Sequence, residues 1–272
     1  MKHGFVKVAA ATPDIRVADV EYNTEQICRL IDETAEEEAK VVVFPELCIT
    51  GYTCGDLFTQ DLLLENAKKG LQKIAIHTGN KDGIFFIGMP LAVDGELYNV
   101  AAAVNHGHIL GFTTKTFLPN YGEFYEMRQF CAGPKEARMI SFDGKMIPFG
   151  PQILFVAEEM QSLVIAAEIC EDVWSTVPPS IQAAREGAVL IVNCSASDET
   201  IGKATYRKNL IEGQSARLLC GYIYANAGEG ESTTDVVFGG HNIIAENGTT
   251  LAMGQRFVNN VIYTEIYKTS AQ

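Results

Sequence analysis

The chain has few basic residues for its length of 272: 21 Lys and Arg stand against 34 Asp and Glu, which leaves a net charge of -13. Nucleic acids and anionic membrane surfaces are bound by clustered cations, so this balance argues against both as partners. Hydrophobic runs are also short. Lys7 interrupts the first of them, and none approaches the ~18 apolar residues of a membrane-spanning helix. We therefore expect a cytoplasmic protein.

The chain also lacks the cysteine and glycine patterns that mark disulfide frameworks, zinc sites and phosphate-binding loops. Its seven cysteines are odd in number and scattered, at positions 28, 48, 54, 131, 170, 194 and 220. Such a set is typical of reduced thiols, and no Cys or His cluster has zinc-finger spacing. No segment resembles an SGGxDS-type or GxxxxGK[ST] loop. We expect no metal and no organic cofactor in this chain.

Strand and helix patterns alternate along the chain without a linker or repeat, which predicts one α/β domain with helices outside the sheets. Helices are predicted at 23–39 (with Asn23 and Gln26 as a capping signal), 61–77 and 203–219. Strands are predicted at 4–10, 41–44, 84–88, 98–105, 108–112, 153–156, 162–168, 189–193, 221–226, 235–245 and 258–266, with a Gly- and Pro-rich stretch at 143–151. Chemistry in such folds gathers at the carboxyl ends of strands.

The string VVVFPELCITGYTCGDLF, residues 41–58, places Glu46 two residues beyond a buried strand. Pro45 prevents the strand from continuing. A carboxylate shielded by Phe44 and Leu47 would be suited to proton transfer. The simpler explanation for a single glutamate here is a solvated loop carboxylate.

The string TTKTFLPNYGEFYEMRQF, residues 113–130, places Lys115 after a strand and among aromatic residues. In a dry site such a cation stabilises a thiolate or an oxyanion. Tyr121, Phe124 and Glu126 follow closely enough to line the same pocket. A single lysine is more often a surface cation, so this string alone does not distinguish a catalytic lysine from a surface lysine.

The string SLVIAAEICEDVW, residues 162–174, ends an apolar strand at Cys170. A nucleophile at a strand-to-loop turn, with the next main-chain N–H facing an oxyanion, is a common solution to acyl transfer. Acidic neighbours raise the pKa of a thiol, so a cation is needed nearby, and Lys115 is the candidate. A structural cysteine is the alternative.

A glutamate, a lysine and a cysteine, each after a strand and in that order, resemble the Glu–Lys–Cys signature of the nitrilase superfamily. FPEL, KTFLPNYGEF and ICED are the matching strings, and the resemblance covers nearly the whole chain. ELCITGYTCGDLF, ICEDVW and NCSAS (193–197) are similar to the glutaminase domain of glutamine-dependent NAD synthetases. The resemblance implies a four-layer αββα sandwich, with Glu46 as general base and acid, Lys115 as cationic stabiliser and Cys170 as nucleophile.

The same resemblance implies a set of residues around bound L-glutamine: Tyr52, Tyr121, Phe124, Glu126, Glu171, Trp174, Ser197 and Lys203. Glu126 would support Lys115 as well as the substrate. The α-ammonium and α-carboxylate of glutamine need opposite charges, for which Glu171 and Lys203 are the candidates and Arg207 is a reserve.

Members of that family carry a second domain that uses ATP and magnesium to join ammonia to an adenylated dinucleotide. We expect those cofactors only in a synthetase domain or subunit outside this chain, with residues 1–266 as the hydrolase and 267–272 as a tail or linker. The resemblance also implies a homo-oligomer. Two alternatives stay open: a free-standing amidase acting on another amide, nitrile or carbamoyl compound, and a catalytically silent assembly module.

Overall fold

The computed structural model describes residues 4–267, which form five α-helices, three short 3-10 helices and fourteen strands. The helices are α1 (Val20–Glu36), α2 (Asp61–His77), α3 (Glu171–Trp174), α4 (Pro179–Arg185) and α5 (Lys203–Leu218). The strands are β1 (Phe5–Ala11), β2 (Val41–Val43), β3 (Ile84–Val93), β4 (Glu96–Asn105), β5 (His108–Thr114), β6 (Arg138–Phe142), β7 (Lys145–Gly150), β8 (Leu154–Ala157), β9 (Met160–Ile169), β10 (Leu190–Ser195), β11 (Gly221–Asn226), β12 (Ile243–Glu246), β13 (Thr249–Met253) and β14 (Val261–Tyr267). Of the predicted tail 267–272, only Tyr267 is described.

Two sheets organise these strands. The eight-stranded sheet has the order β14-β1-β2-β3-β4-β5-β7-β6, and the six-stranded sheet has the order β13-β12-β11-β10-β9-β8. In each sheet three neighbouring strands run parallel: β1, β2 and β3 in one, and β9, β10 and β11 in the other. Their carboxyl ends therefore meet at one edge of each sheet.

Three hydrophobic cores separate the chain into four layers. The first joins α1 and α2 to the outer face of the eight-stranded sheet and contains Ile31 and Phe85. The second lies between the two sheets and contains Phe86 and Ile165. The third joins the six-stranded sheet to α4 and α5 and contains Ile211. Because adjacent strand residues point to opposite faces, Phe85 and Phe86 belong to different cores. The predicted αββα sandwich is confirmed.

Helix α1 begins three residues before the predicted start and ends three residues before the predicted end. Its N-cap is Asp19, whose carboxylate accepts the main-chain N–H of Tyr22. Asn23 is buried inside the helix, where its amide bonds to the main chain of Arg16 and Ile49. The predicted capping role of Asn23 and Gln26 is wrong because the asparagine fastens two loops to the helix instead.

Two other segments differ from the prediction. The Gly- and Pro-rich stretch takes part in the β6–β7 hairpin, whose turn residues Asp143 and Gly144 both have positive φ, as two-residue hairpin turns require. The predicted strand 235–245 is wrong over most of its length. Only Ile243–Glu246 forms a strand, and residues 227–242 mostly run as an irregular segment after β11.

Candidate active site

Glu46 lies in the loop after β2 and is completely buried. Its Oε1 accepts hydrogen bonds from Asn99 Nδ2 and Lys115 Nζ, both at 2.6 Å, and its Oε2 accepts the main-chain N–H of Ala196 at 3.0 Å. The loop fits because β3 has a glycine beneath it: a Cβ on Gly88 would lie 2.3 Å from Leu47 N. Glu46 is therefore an acceptor held from three sides, and not the solvated loop carboxylate of the simpler explanation.

Lys115 follows β5 and is 1% exposed. Its Nζ donates to Glu46 Oε1 and to Glu126 Oε1, both at 2.6 Å. Burial alone lowers the pKa of a lysine, but the charges of Glu126 and then Glu46 outweigh it and raise this pKa well above its usual range. The side chain is therefore a permanent buried cation between two carboxylates.

Cys170 stands where β9 ends, with a φ of 42° and a ψ of -100°. Positive φ is unusual for a residue with a side chain and marks local backbone strain. Hydrogen bonds from its N–H to Asn193 Oδ1 (3.0 Å) and to Cys194 O (3.1 Å) hold this conformation. Burial raises the pKa of its thiol, Glu46 raises it further and Lys115 opposes them. The free site thus holds a neutral thiol that needs a base.

Asp172 ties the cysteine loop to the lysine loop. One carboxylate oxygen accepts the main-chain N–H groups of Thr116 (3.0 Å) and Phe117 (2.9 Å), and the other accepts that of Ile169 (2.9 Å). The side chain is fully buried, and burial raises its pKa to about 8. One carboxylate therefore fixes the distance between the main chains that carry Cys170 and Lys115.

Glu126 extends the site outward. Its Oε1 accepts Lys115 Nζ and also Tyr52 OH at 2.8 Å. Burial raises its pKa to about 7, against the opposing charge of Lys115. The Tyr52 ring meets Phe124 edge-on with centroids 6.3 Å apart, and Phe124 meets Tyr121 in the same way at 6.1 Å. Four predicted substrate residues are thus in one contact group.

The remaining predicted substrate residues are Glu171 and Trp174 in α3, Lys203 at the start of α5, and Ser197 in the segment after β10. Tyr121 is 58% exposed, and its OH donates to Glu171 at 3.0 Å. Lys203 forms an ion pair with Asp198, and its Nζ lies 5.7 Å from the Phe124 ring centre and 5.5 Å from that of Trp174. Glu171 and Lys203 are both half-buried, and each already has a protein partner.

Ser197 is buried, and its neighbour in space is Arg207. The guanidinium donates to Ser197 Oγ (3.2 Å), Asp198 O (2.7 Å) and Glu199 Oε1 (2.5 Å), and it contacts His241 Nδ1 at 3.0 Å. Arg207 is fully buried. It supports the loop that carries Ser197 and Asp198, so it is not the reserve cation for a substrate carboxylate.

A cavity of about 480 Å³ opens beside this group. It is lined on one side by Tyr52, Phe124 and Glu126, and on the other by Thr233, Asp235 and Val236. Since Glu126 is the direct partner of Lys115, the cavity comes within one hydrogen bond of the buried triad. No group of three or more His, Cys, Asp and Glu side chains within residues 4–267 has an arrangement that would hold a metal ion.

Sequence reasoning missed three residues of this site. Asn99 had a usable signal, because it is a polar residue within the otherwise apolar strand LYNVAAAV. Asp172 lies within the cysteine string, where the sequence identifies it only as an acidic neighbour of the thiol. Glu231, which accepts the main-chain N–H of Tyr52 at 2.8 Å, gives no signal because it lies between two predicted strands and 179 positions away along the chain.

The profile of the carbon–nitrogen hydrolases matches residues 7–272. The chain belongs to the carbon–nitrogen hydrolase family. A glutamine-dependent NAD(+) synthetase from Mycobacterium leprae is 41% identical over 254 residues, which are 93% of this chain and 37% of that protein. The chain thus spans little more than a third of that relative's length.

Solved structures agree on the fold. A glutamine-dependent NAD(+) synthetase from Cytophaga hutchinsonii matches with a TM-score of 0.87 and 32% identity, over 96% of this chain and 43% of that one. An amidase from Nesterenkonia sp. matches with a TM-score of 0.77 and 18% identity, over 100% of this chain and 94% of that one. The second likeness concerns the fold alone. Within the described residues, no helix is both long and apolar enough to cross a bilayer.

Proposed function

We propose that this chain hydrolyses the side-chain amide of L-glutamine through a thioester on Cys170 and releases glutamate and ammonia. The observation that carries the proposal is the buried contact of Lys115 with Glu46 and Glu126, beside a strained cysteine at a strand end. The relatives named above are glutamine-dependent, which supports glutamine as the amide donor.

The first half of the reaction forms the thioester. Glu46 accepts the thiol proton as the sulfur of Cys170 attacks the amide carbon, and the carbonyl electrons move to oxygen. Lys115 Nζ and the N–H of Glu171 stabilise that oxyanion. As the intermediate collapses, Glu46 gives its proton to the departing nitrogen, so ammonia leaves and a thioester remains.

The second half regenerates the enzyme. Glu46 accepts a proton from water while the water oxygen attacks the thioester carbon. The new intermediate expels the sulfur, which regains the proton from Glu46, and glutamate leaves. Because the resting thiol has a raised pKa, proton removal accompanies attack in this scheme, and a buried base with three fixed hydrogen bonds suits that task.

Substrate recognition is proposed for Glu171, which would meet the α-ammonium group, and Lys203, which would meet the α-carboxylate. Tyr121, Phe124 and Trp174 would enclose the carbon chain, and Tyr52 and Ser197 would supply neutral contacts. The opposite charges of Glu171, which accepts from Tyr121, and Lys203, which lies over the Phe124 ring, support this assignment.

We further propose that the ammonia serves an NAD synthetase domain or subunit, where ATP and magnesium would act, and that residues 1–266 form the hydrolase. The names of the relatives and their greater length support this assignment. A cytoplasmic homo-oligomer that binds neither nucleic acid nor membrane remains our expectation.

An amidase for another small amide is the second candidate, since the Nesterenkonia amidase has this fold over 94% of its own length. A panel of glutamine, asparagine, simple amides, nitriles and carbamoyl amino acids separates the two, with Cys170→Ala as the blank. We expect glutamine to give the highest kcat/KM. Preference for any compound without the α-amino acid head would support the second candidate, and turnover by Cys170→Ala would contradict both.

A further inference from the structure

Besides Glu46, Glu126 and Asp172, a further buried carboxylate lies beside the site, and the reaction scheme does not use it. Glu231 is 1% exposed and belongs to the irregular segment between β11 and β12. Its Oε1 is buried without a hydrogen-bond partner among the described residues. The carboxylate therefore has a purpose other than a surface charge or a salt bridge.

The other oxygen of Glu231 holds a sharp turn. Oε2 accepts the main-chain N–H of Tyr52 at 2.8 Å and that of Thr53 at 3.4 Å. The contact continues in the main chain, where Glu231 O accepts Thr53 Oγ1 at 3.0 Å. Gly51 has a φ of 88°, and a Cβ there would lie 3.3 Å from the same Oε2. The turn at 51–53 is thus fitted against this carboxylate.

The turn carries the side chain that reaches the triad. Tyr52 OH donates to Glu126 Oε1, and that same oxygen accepts Lys115 Nζ. The Tyr52 ring also packs edge-on against Phe238, at 5.8 Å between centroids, from the segment that carries Glu231. One continuous path of hydrogen bonds and covalent chain therefore runs from Glu231 through Tyr52 and Glu126 to Lys115.

We propose that Glu231 is a positioning residue: its carboxylate holds the turn at Tyr52, so that Tyr52 keeps Glu126, and through it Lys115, in place for the attack by Cys170. For this role the side chain must be long enough to bring an acceptor oxygen to the turn, and its negative charge is secondary. Tyr52 and Thr53 donate through neutral N–H groups, and no cation is within ion-pair distance of this carboxylate among the described residues.

The pKa of Glu231 also indicates that its negative charge is secondary. Burial raises its pKa to about 7, the two main-chain donors oppose that rise and the charge of Glu46 adds to it. A carboxyl with such a pKa is partly protonated near neutral pH, yet its carbonyl oxygen still accepts hydrogen bonds. An amide of the same length would therefore serve as well.

The deciding pair of variants is Glu231→Gln and Glu231→Asp. Glutamine keeps the reach and loses the charge, whereas aspartate keeps the charge and withdraws the acceptor by one methylene group. We expect Glu231→Gln to retain kcat within about threefold and Glu231→Asp to lose about tenfold or more, since misplacement by ~1 Å costs up to ~100-fold. Glu229→Gln, two residues away and exposed, is the matched control and should match the parent.

The turnover readout rests on the proposed function, so a second readout is independent of any substrate. The rate of Cys170 carbamidomethylation, followed by site-resolved mass spectrometry, reports the triad directly. It should fall in Glu231→Asp and stay near the parent rate in Glu231→Gln. If no amide is turned over by the parent protein, the proposed function fails while this readout still tests the positioning role.

The route through Tyr52 is tested by combining variants. Tyr52→Phe removes the hydroxyl that reaches Glu126, so adding Glu231→Asp to it should cost less than about twofold more, because coupled residues are not additive. If Glu231→Asp lowered kcat by the same factor in the parent and in Tyr52→Phe, the route through Tyr52 would be overturned. A higher kcat for Glu231→Asp than for Glu231→Gln would overturn the proposal. So would a kcat and a Cys170 alkylation rate that equal those of the parent in both variants. Melting curves of all variants confirm that folded proteins are compared.

Discussion

The triad centre and the entrance of the site differ in how their side chains are held. At the triad centre (Glu46, Lys115 and Cys170) every polar contact has a buried partner, much of it main chain at a strand end. At the entrance (Tyr121, Glu171, Trp174 and Lys203) the side chains are half-buried or exposed and pair with one another or with nearby loops.

This difference separates two requirements of an amidase. The bond-making atoms need fixed positions, and the hydrogen-bonded ends of two sheets provide them. The substrate needs contacts at the entrance, and half-buried or exposed side chains whose protein partners can be exchanged for ligand groups provide them. The triad centre should therefore govern kcat, and the entrance should govern KM.

The largest effect should come from the triad centre itself. Glu46→Ala and Lys115→Ala should each lower kcat by at least about 100-fold, because one removes the proposed base and the other the proposed cation for the oxyanion. The double variant should be little worse than either single variant, since the two residues act as one unit. Steady-state kinetics with glutamine measures this. Losses that multiply would show that the two residues act separately.

The next largest effect should come from Asp172, whose carboxylate links the loops that carry Cys170 and Lys115. Asp172→Ala leaves three main-chain N–H groups without their acceptor, that of Ile169 buried and those of Thr116 and Phe117 partly buried, so the free energy of unfolding should fall by about 3 kcal/mol, and kcat by about tenfold. Urea denaturation gives the first value. The exposed Asp56, changed to alanine, should leave the unfolding midpoint almost unchanged. A parent-like midpoint for Asp172→Ala would mean that this carboxylate is not structural.

At the entrance, Glu171→Gln and Lys203→Ala should raise the KM for glutamine by about five- to tenfold and leave kcat within about threefold. The groups that they would contact on the substrate are remote from the reacting carbon, so ground state and transition state lose the same interaction. Initial rates over a range of glutamine concentrations measure this. A fall in kcat alone would place these residues with the triad centre.

The smallest effect concerns the thiols. Cys131 is half-buried and Cys170 only 6% exposed, so a small alkylating reagent should label both, whereas a bulky reagent should favour Cys131. Cys131→Ser should change turnover by less than about twofold. Loss of activity when only Cys131 is labelled would indicate that Cys131 belongs to the active site.

The sequence predicted much of this fold because its signals are local. An apolar run followed by a proline, a lysine or a cysteine identifies a strand end without any knowledge of its neighbours. Three such ends carried Glu46, Lys115 and Cys170. The β6–β7 hairpin was missed although Asp143-Gly144 is a turn signal, because the glycines and proline around it favoured a loop.

By itself, the sequence determined the strand ends, the alternation that buries one face of each strand, and the residue types that make amide chemistry feasible. Only the tertiary structure decided which of them meet. Asn99 reaches Glu46 because β4 lies beside β3, and Glu231 reaches Tyr52 across 179 positions of chain because the two sheets pack face to face. Local propensity acts over a few residues, whereas burial of the two sheets against each other sets every contact between distant segments.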